Sequence, residues 1–74
     1  MVVIYVLIVT EVGKENNVAN ALRKIKGVSE ARVVYGEFDV VARLETQTLK
    51  EVDEIVTAIR KIQGIIRTVT LIST

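Results

Sequence analysis

The sequence predicts an α+β fold, a ferredoxin-like β-α-β-β-α-β sandwich in which a four-stranded antiparallel sheet carries two helices on one face. Three observations predict it. Two segments with helical period each stand between runs rich in β-branched residues. The two middle runs meet at Tyr35-Gly36-Glu37-Phe38-Asp39, a connection short enough to close a hairpin. The second half also echoes the first: Ala21-Leu22-Arg23-Lys24-Ile25-Lys26-Gly27-Val28 aligns with Ala58-Ile59-Arg60-Lys61-Ile62-Gln63-Gly64-Ile65 at one fixed offset. Two strand-helix-strand units with right-handed crossovers interleave into such a sheet.

The first strand is expected over Val2 to Thr10, which is β-branched and apolar on both parities, so both of its faces should be covered. Glu11 to Gly13 breaks it. From Lys14 to Lys26 the period is helical, with Val18, Leu22 and Ile25 on one face. Arg23, Lys24 and Lys26 crowd its last turn, where cations meet the negative end of the helix, and Gly27 stops it. Val28 to Tyr35 reads as an edge strand, because Glu30 and Arg32 discourage stray pairing. After Gly36, Phe38 to Glu45 forms the third strand. Thr48-Leu49-Lys50-Glu51 is a capping box opening a helix whose apolar face carries Leu49, Val52, Val56 and Ile59, with Ile55 and Ile62 beside them. Gly64 ends that helix. Ile65 to Ser73 is the fourth strand, with Ile66, Thr68, Thr70 and Ile72 on one parity and Ile65, Val69 and Leu71 on the other.

Seventy-four residues make one domain, 1–74. Half are hydrophobic but only three are aromatic, so the core must be built from Val, Ile and Leu. A domain of this size buries roughly 60% of its unfolded surface, which makes self-assembly an expected support. Two helices cover one side of the sheet, and the other side is expected to pack on a second copy, sheet to sheet. Ile66, Thr68, Thr70 and Ile72 are placed on that open face, together with Tyr5.

The composition excludes several functions. Ten Lys and Arg stand against nine Asp and Glu, with no basic face, so direct nucleic-acid binding is not expected. Cys and His are both absent, which removes thiolate metal sites and the commonest general base. Ser29 and Ser73 have no base beside them, and the four glycines stand apart, so neither a catalytic triad nor a phosphate loop is present. No catalysis, cofactor or metal is expected. The apolar opening is too short to span a membrane and lacks a signal peptide's basic start. The chain is expected to be soluble and cytoplasmic.

What remains is the corner at Gly36 to Asp39. Gly36 takes a positive φ without cost and leaves room for a ligand or another backbone. Asp39 places a carboxylate at the mouth of an apolar strand. It either accepts hydrogen bonds from turn amides or faces a pocket and receives an amino group.

The succession Val34-Tyr35-Gly36-Glu37-Phe38-Asp39-Val40-Val41, a second helix ending in Gly64-Ile65, and Thr68-Val69-Thr70-Leu71-Ile72 resembles the RAM (regulation of amino-acid metabolism) domain of Lrp/AsnC regulators over essentially the whole chain. The resemblance implies a homodimer through the open sheet face, further assembly into octamers, and an amino acid effector bound near the hairpin turn and the last strand. It implies that Gly36 and Phe38 shape the site, that Asp39 takes the effector's ammonium group, and that Thr68 and Thr70 offer hydroxyls to its carboxylate. A zwitterion needs partners of both kinds. Full-length members carry a helix-turn-helix domain first, whereas here Met1 leads straight into the first strand. A stand-alone RAM domain acting through a full-length Lrp/AsnC regulator is therefore expected. Two other readings stay open: an ACT-like regulatory subunit of an amino-acid enzyme, binding near Glu11-Val12-Gly13, and a purely structural assembly domain.

Overall fold

A computed structural model describes residues 1–74. The elements follow in the expected order: β1 (Val2–Thr10), α1 (Glu15–Arg23), β2 (Val28–Val33), β3 (Val40–Thr46), α2 (Leu49–Arg60) and β4 (Ile65–Ile72). The strands form one antiparallel sheet in the order β2-β3-β1-β4. This is the ferredoxin-like β-α-β-β-α-β arrangement.

Alternation along the strands decides which side chains meet the helices. Ile4, Val6 and Ile8 of β1 and Val40, Ala42 and Leu44 of β3 are fully buried against Val18, Ala19 and Leu22 of α1 and Val52, Val56 and Ile59 of α2. Each fully buried aliphatic side chain stabilises the fold by about 1.5–3 kcal/mol, and these chains are the core. Leu49 does not join them: it stands exposed at the first position of α2. Thr48 caps that helix from an extended conformation, its hydroxyl accepting the Glu51 amide hydrogen at 3.3 Å. Glu51 returns to the Thr48 hydroxyl and not to its backbone, so the box closes through side chains.

Several boundaries differ from the sequence expectation. Helix α1 ends at Arg23, short of Lys26, because Lys24 and Ile25 donate to Ala21 and Leu22 in tightened i→i−3 bonds. Gly27, at φ +101°, then turns the chain into β2. Strand β2 stops at Val33, and β3 starts at Val40, leaving 34–39 as the connection.

The assignment of Ile66, Thr68, Thr70 and Ile72 to the open face is corrected. Thr68, Thr70 and Ile72 stand opposite Ile8, Val6 and Ile4 of β1, and cross-strand partners share a face. They therefore lie on the helix side. Ile66 is the extra residue of a β-bulge: Val9 pairs with Arg67 and Thr10 with Ile65, so the parity flips across it. The open face consists instead of Glu30 and Arg32 from β2, Val3, Tyr5, Leu7 and Val9 from β1, Val41, Arg43 and Glu45 from β3, and Arg67, Val69 and Leu71 from β4.

The internal repeat extends to this irregularity. A second bulge sits at Ser29 in β2, the position equivalent to Ile66, directly after Gly27-Val28 as Ile66 follows Gly64-Ile65. The carbonyl of Gly27 accepts the Glu45 amide hydrogen at 2.9 Å, and that of Gly64 accepts the Glu11 amide hydrogen at 2.8 Å. The two halves are thus related by an approximate twofold axis.

Candidate functional site

The 34–39 connection lies at the end of the sheet where β1 finishes. Pairing of β1 with β3 stops at Ile8 and Val40, yet β1 continues to Thr10, whose amide is left without a backbone acceptor on that side. Asp39 supplies one. Its Oδ2 accepts the Thr10 amide hydrogen at 2.9 Å, while its own amide donates to the Ile8 carbonyl at 2.8 Å and its carbonyl accepts from Val34 at 2.9 Å. The side chain extends the ladder by one rung. The acceptor role weighed for Asp39 is realised across the sheet and not within its own turn. Its second carboxylate oxygen has no hydrogen-bond partner within the chain.

Phe38 is half-buried, and the Arg67 guanidinium lies over its ring, 5.6 Å from the centroid. A stacked guanidinium keeps its N–H donors free in its own plane. Gly36 has φ +134°, and a side chain placed there would meet nothing within 4 Å. Tyr35 beside it is fully exposed. Asp39 bonded to Thr10 and Phe38 stacked with Arg67 therefore stand at one end of the sheet, beside the connection that carries Gly36, and supply a carboxylate oxygen, a cation and an aromatic face.

The two threonines stand elsewhere. Thr68 faces the helix side next to Ile8, and Thr70 lines a groove of about 290 Å³ between α2 and β4 with Val52, Asp53, Thr57 and Arg60. Thr10 and Arg67 are the residues that the sequence reading passed over. Arg67 had a signal: it is the one charged side chain in the Ile65–Ile72 run. Thr10 had none, because its contribution is a backbone N–H.

The open face carries its own electrostatics. Glu30 and Arg32 form an ion pair on β2, and Arg43 pairs with Glu45 on β3 while donating to the Ser29 hydroxyl at 3.0 Å. The hydrogen bond from Arg32, reinforced by its charge, holds the Glu30 carboxyl below its ordinary range. The bond to Glu45 likewise holds the Arg43 guanidinium up. These pairs flank an apolar centre of Leu7, Val9, Val41 and Val69. No cluster of acidic side chains has the spacing to hold a metal ion. No helix is long and apolar enough to cross a membrane.

Comparison with known proteins gives a consistent picture. The family profile described as Lrp/AsnC ligand binding domain matches residues 3–74. An uncharacterized HTH-type transcriptional regulator of Pyrococcus furiosus, PF0250, is 37% identical over 60 residues, covering 80% of this chain and 40% of that protein. The chain thus spans well under two thirds of that regulator's length. The crystal structure of the hypothetical protein PHS023 from Pyrococcus horikoshii is 44% identical and superposes with a TM-score of 0.93, covering all of this chain (100%) and 90% of that one. The transcriptional regulator NMB0573 of Neisseria meningitidis, solved as a complex with L-Met, shares the fold alone: 13% identity and a TM-score of 0.82, over 99% of this chain and 49% of that one.

Proposed function

The chain belongs to the Lrp/AsnC ligand-binding domain family, a family of transcriptional regulators and not of enzymes, and from that premise we propose that it binds an amino acid and assembles with a full-length Lrp/AsnC regulator to modulate transcription. The observation that carries the ligand class is an acidic and a basic group standing at the same end of the sheet, each with hydrogen-bonding capacity left over. Asp39 has a free carboxylate oxygen for an ammonium group, and Arg67 has in-plane N–H donors for a carboxylate. Gly36 leaves the approach open, and Phe38 offers an apolar wall. Thr68, on the neighbouring strand position, and Thr70 would add hydroxyls only through an effector that reaches over the edge of β4. The L-Met complex of NMB0573 favours the same ligand class.

The open sheet face is read as the homodimer interface, with higher assembly up to an octamer built on that dimer. Val3, Tyr5, Leu7 and Val9, flanked by Val41, Val69 and Leu71, leave partly exposed apolar side chains side by side on this face, and contiguous apolar surface marks an interaction site.

The test is a thermal-shift screen of the protein against the twenty amino acids, repeated with Asp39→Asn and Arg67→Met. Asparagine keeps an acceptor for Thr10 and removes the charge, so binding is separated from folding. A saturable rise for one or a few amino acids, lost in both variants, is expected. A flat response of the unaltered protein would refute amino acid binding.

A further inference from the structure

The internal twofold sets two clefts at equivalent places, one beside each helix. The first, of about 510 Å³, lies between α1 and the turn from α2 into β4; Glu11, Lys14, Asn17 and Gln63 line it, with half-buried Ala21 and Ile62. The second, of about 440 Å³, has Lys26, Glu51 and Glu54 at the positions of Gln63, Lys14 and Asn17, and adds Glu45. The fold makes both hollows, but their linings differ. Three carboxylates against one ammonium leave the second net negative, so it repels an anionic group. One carboxylate against one ammonium leaves the first neutral, with two carboxamides beside them.

The polar groups of the first cleft are unspent. Elsewhere on α1 they are used: Arg23 donates to the Ala31 carbonyl through Nη2 at 2.8 Å and Nε at 3.2 Å and to Asn20 at 2.9 Å, and Glu15 accepts from the Gly13 amide at 3.3 Å. The side chains of Glu11, Lys14, Asn17 and Gln63 make no hydrogen bond or ion pair within the chain. The walls are nevertheless fixed. The Glu11 amide donates to the Gly64 carbonyl at 2.8 Å, and the Lys14 stem rests against Gly64, where a Cβ would come within 3.1 Å of Lys14 Cβ.

We propose that the first cleft binds a free amino acid whose side chain ends in a carboxamide. Lys14 takes the α-carboxylate and Glu11 the α-ammonium group. Asn17 and Gln63 each donate and accept, which matches a carboxamide in both senses. Ala21 and Ile62 cover the methylenes between. A side-chain carboxylate would bring a second negative charge with only Lys14 to meet it, and an apolar side chain would leave the two amides unpaired. The volume lies within the roughly 300–1,000 Å³ of small-molecule sites. None of Gly36, Phe38, Asp39 and Arg67 lines this cleft, so it stands apart from the corner.

The test is a titration with L-glutamine followed on the backbone amide signals by two-dimensional NMR, with L-glutamate and L-leucine as comparisons. Saturable movement of the Asn17, Ala21, Gln63 and Gly64 signals is expected with L-glutamine. Binding should be about tenfold weaker in Lys14→Ala and in Gln63→Ala, whose exposed side chains leave the fold intact. Glu54→Ala, at the place in the second cleft equivalent to Asn17, should bind like the unaltered chain, as should Asp39→Asn. No saturable movement of these signals, an affinity unchanged in Lys14→Ala, or L-glutamate or L-leucine bound as tightly as L-glutamine overturns the proposal. Movement abolished by Asp39→Asn also overturns it and puts the amino acid at the corner, whereas a silent cleft leaves the corner reading untouched.

Discussion

The Asp39 carboxylate accepts the amide hydrogen of Thr10 at 2.9 Å, across the sheet and beyond the last backbone rung between β1 and β3. A charged acceptor on a part-buried amide contributes about 1.5–3 kcal/mol. Asp39→Ala is therefore expected to lower stability by about 2 kcal/mol, and Asp39→Asn, which keeps a carbonyl there, by well under half of that. Urea unfolding of the two variants checks it; equal losses would mean that the bond is not what Asp39 contributes.

Gly27 is fixed by two separate demands. Its φ is +101°, and a Cβ built on it would clash with Ile55 Cδ1 on α2. Gly27→Ala is expected to cost at least about 1–2 kcal/mol from the backbone alone, and more from the clash. Adding Ile55→Val removes the clashing methyl and should recover part of the loss. Gly36→Ala, with open space around it, should carry the backbone cost only. Comparing the midpoints of thermal unfolding tests the ordering.

Leu7 sits in the middle of the open face, between Val41 on β3 and Val69 on β4. Leu7→Lys is expected to separate the sheet-to-sheet dimer, because a buried ammonium without a partner is strongly disfavoured. Asn16→Lys, on the exposed side of α1, should leave assembly alone. Sedimentation equilibrium of both variants decides whether that face is an interface.

The Glu30 carboxyl is held below its ordinary range by Arg32. Its folded value is the depressed one, so its stabilising effect is complete above the unfolded carboxyl's pKa and disappears as pH falls through the folded value. Arg32→Gln is expected to move the Glu30 titration upward toward the ordinary carboxyl range. Side-chain carbonyl chemical shifts followed from neutral pH into acid would show the move; identical midpoints in the two proteins would rule out the coupling.

Periodicity made α1 and α2 readable, since Val18-Leu22 and Val52-Val56-Ile59 have no other sensible face. It could not reveal the bulges. Ile65 and Ile66 are both isoleucine, so the pattern is the same whichever of them turns inward, and the error propagated to Thr68, Thr70 and Ile72. Threonine is equally at home on either side of an edge strand, and it gave no correction. At the corner, Gly36, Phe38 and Asp39 were readable as a turn with a lone carboxylate. The partner amide of Thr10 was not, because backbone donors leave no mark in a sequence.

The Arg23 guanidinium on the Ala31 carbonyl has a consequence for growth. Were both edges of this sheet bare, β2 of one molecule would fit β4 of the next, and head-to-tail addition has no end point. A ribbon would lengthen with every collision, as unprotected strands do. With the Ala31 carbonyl taken by Arg23, a strand arriving at β2 finds one of its rungs already occupied. An arginine at the end of a helix thereby works against head-to-tail growth from that edge.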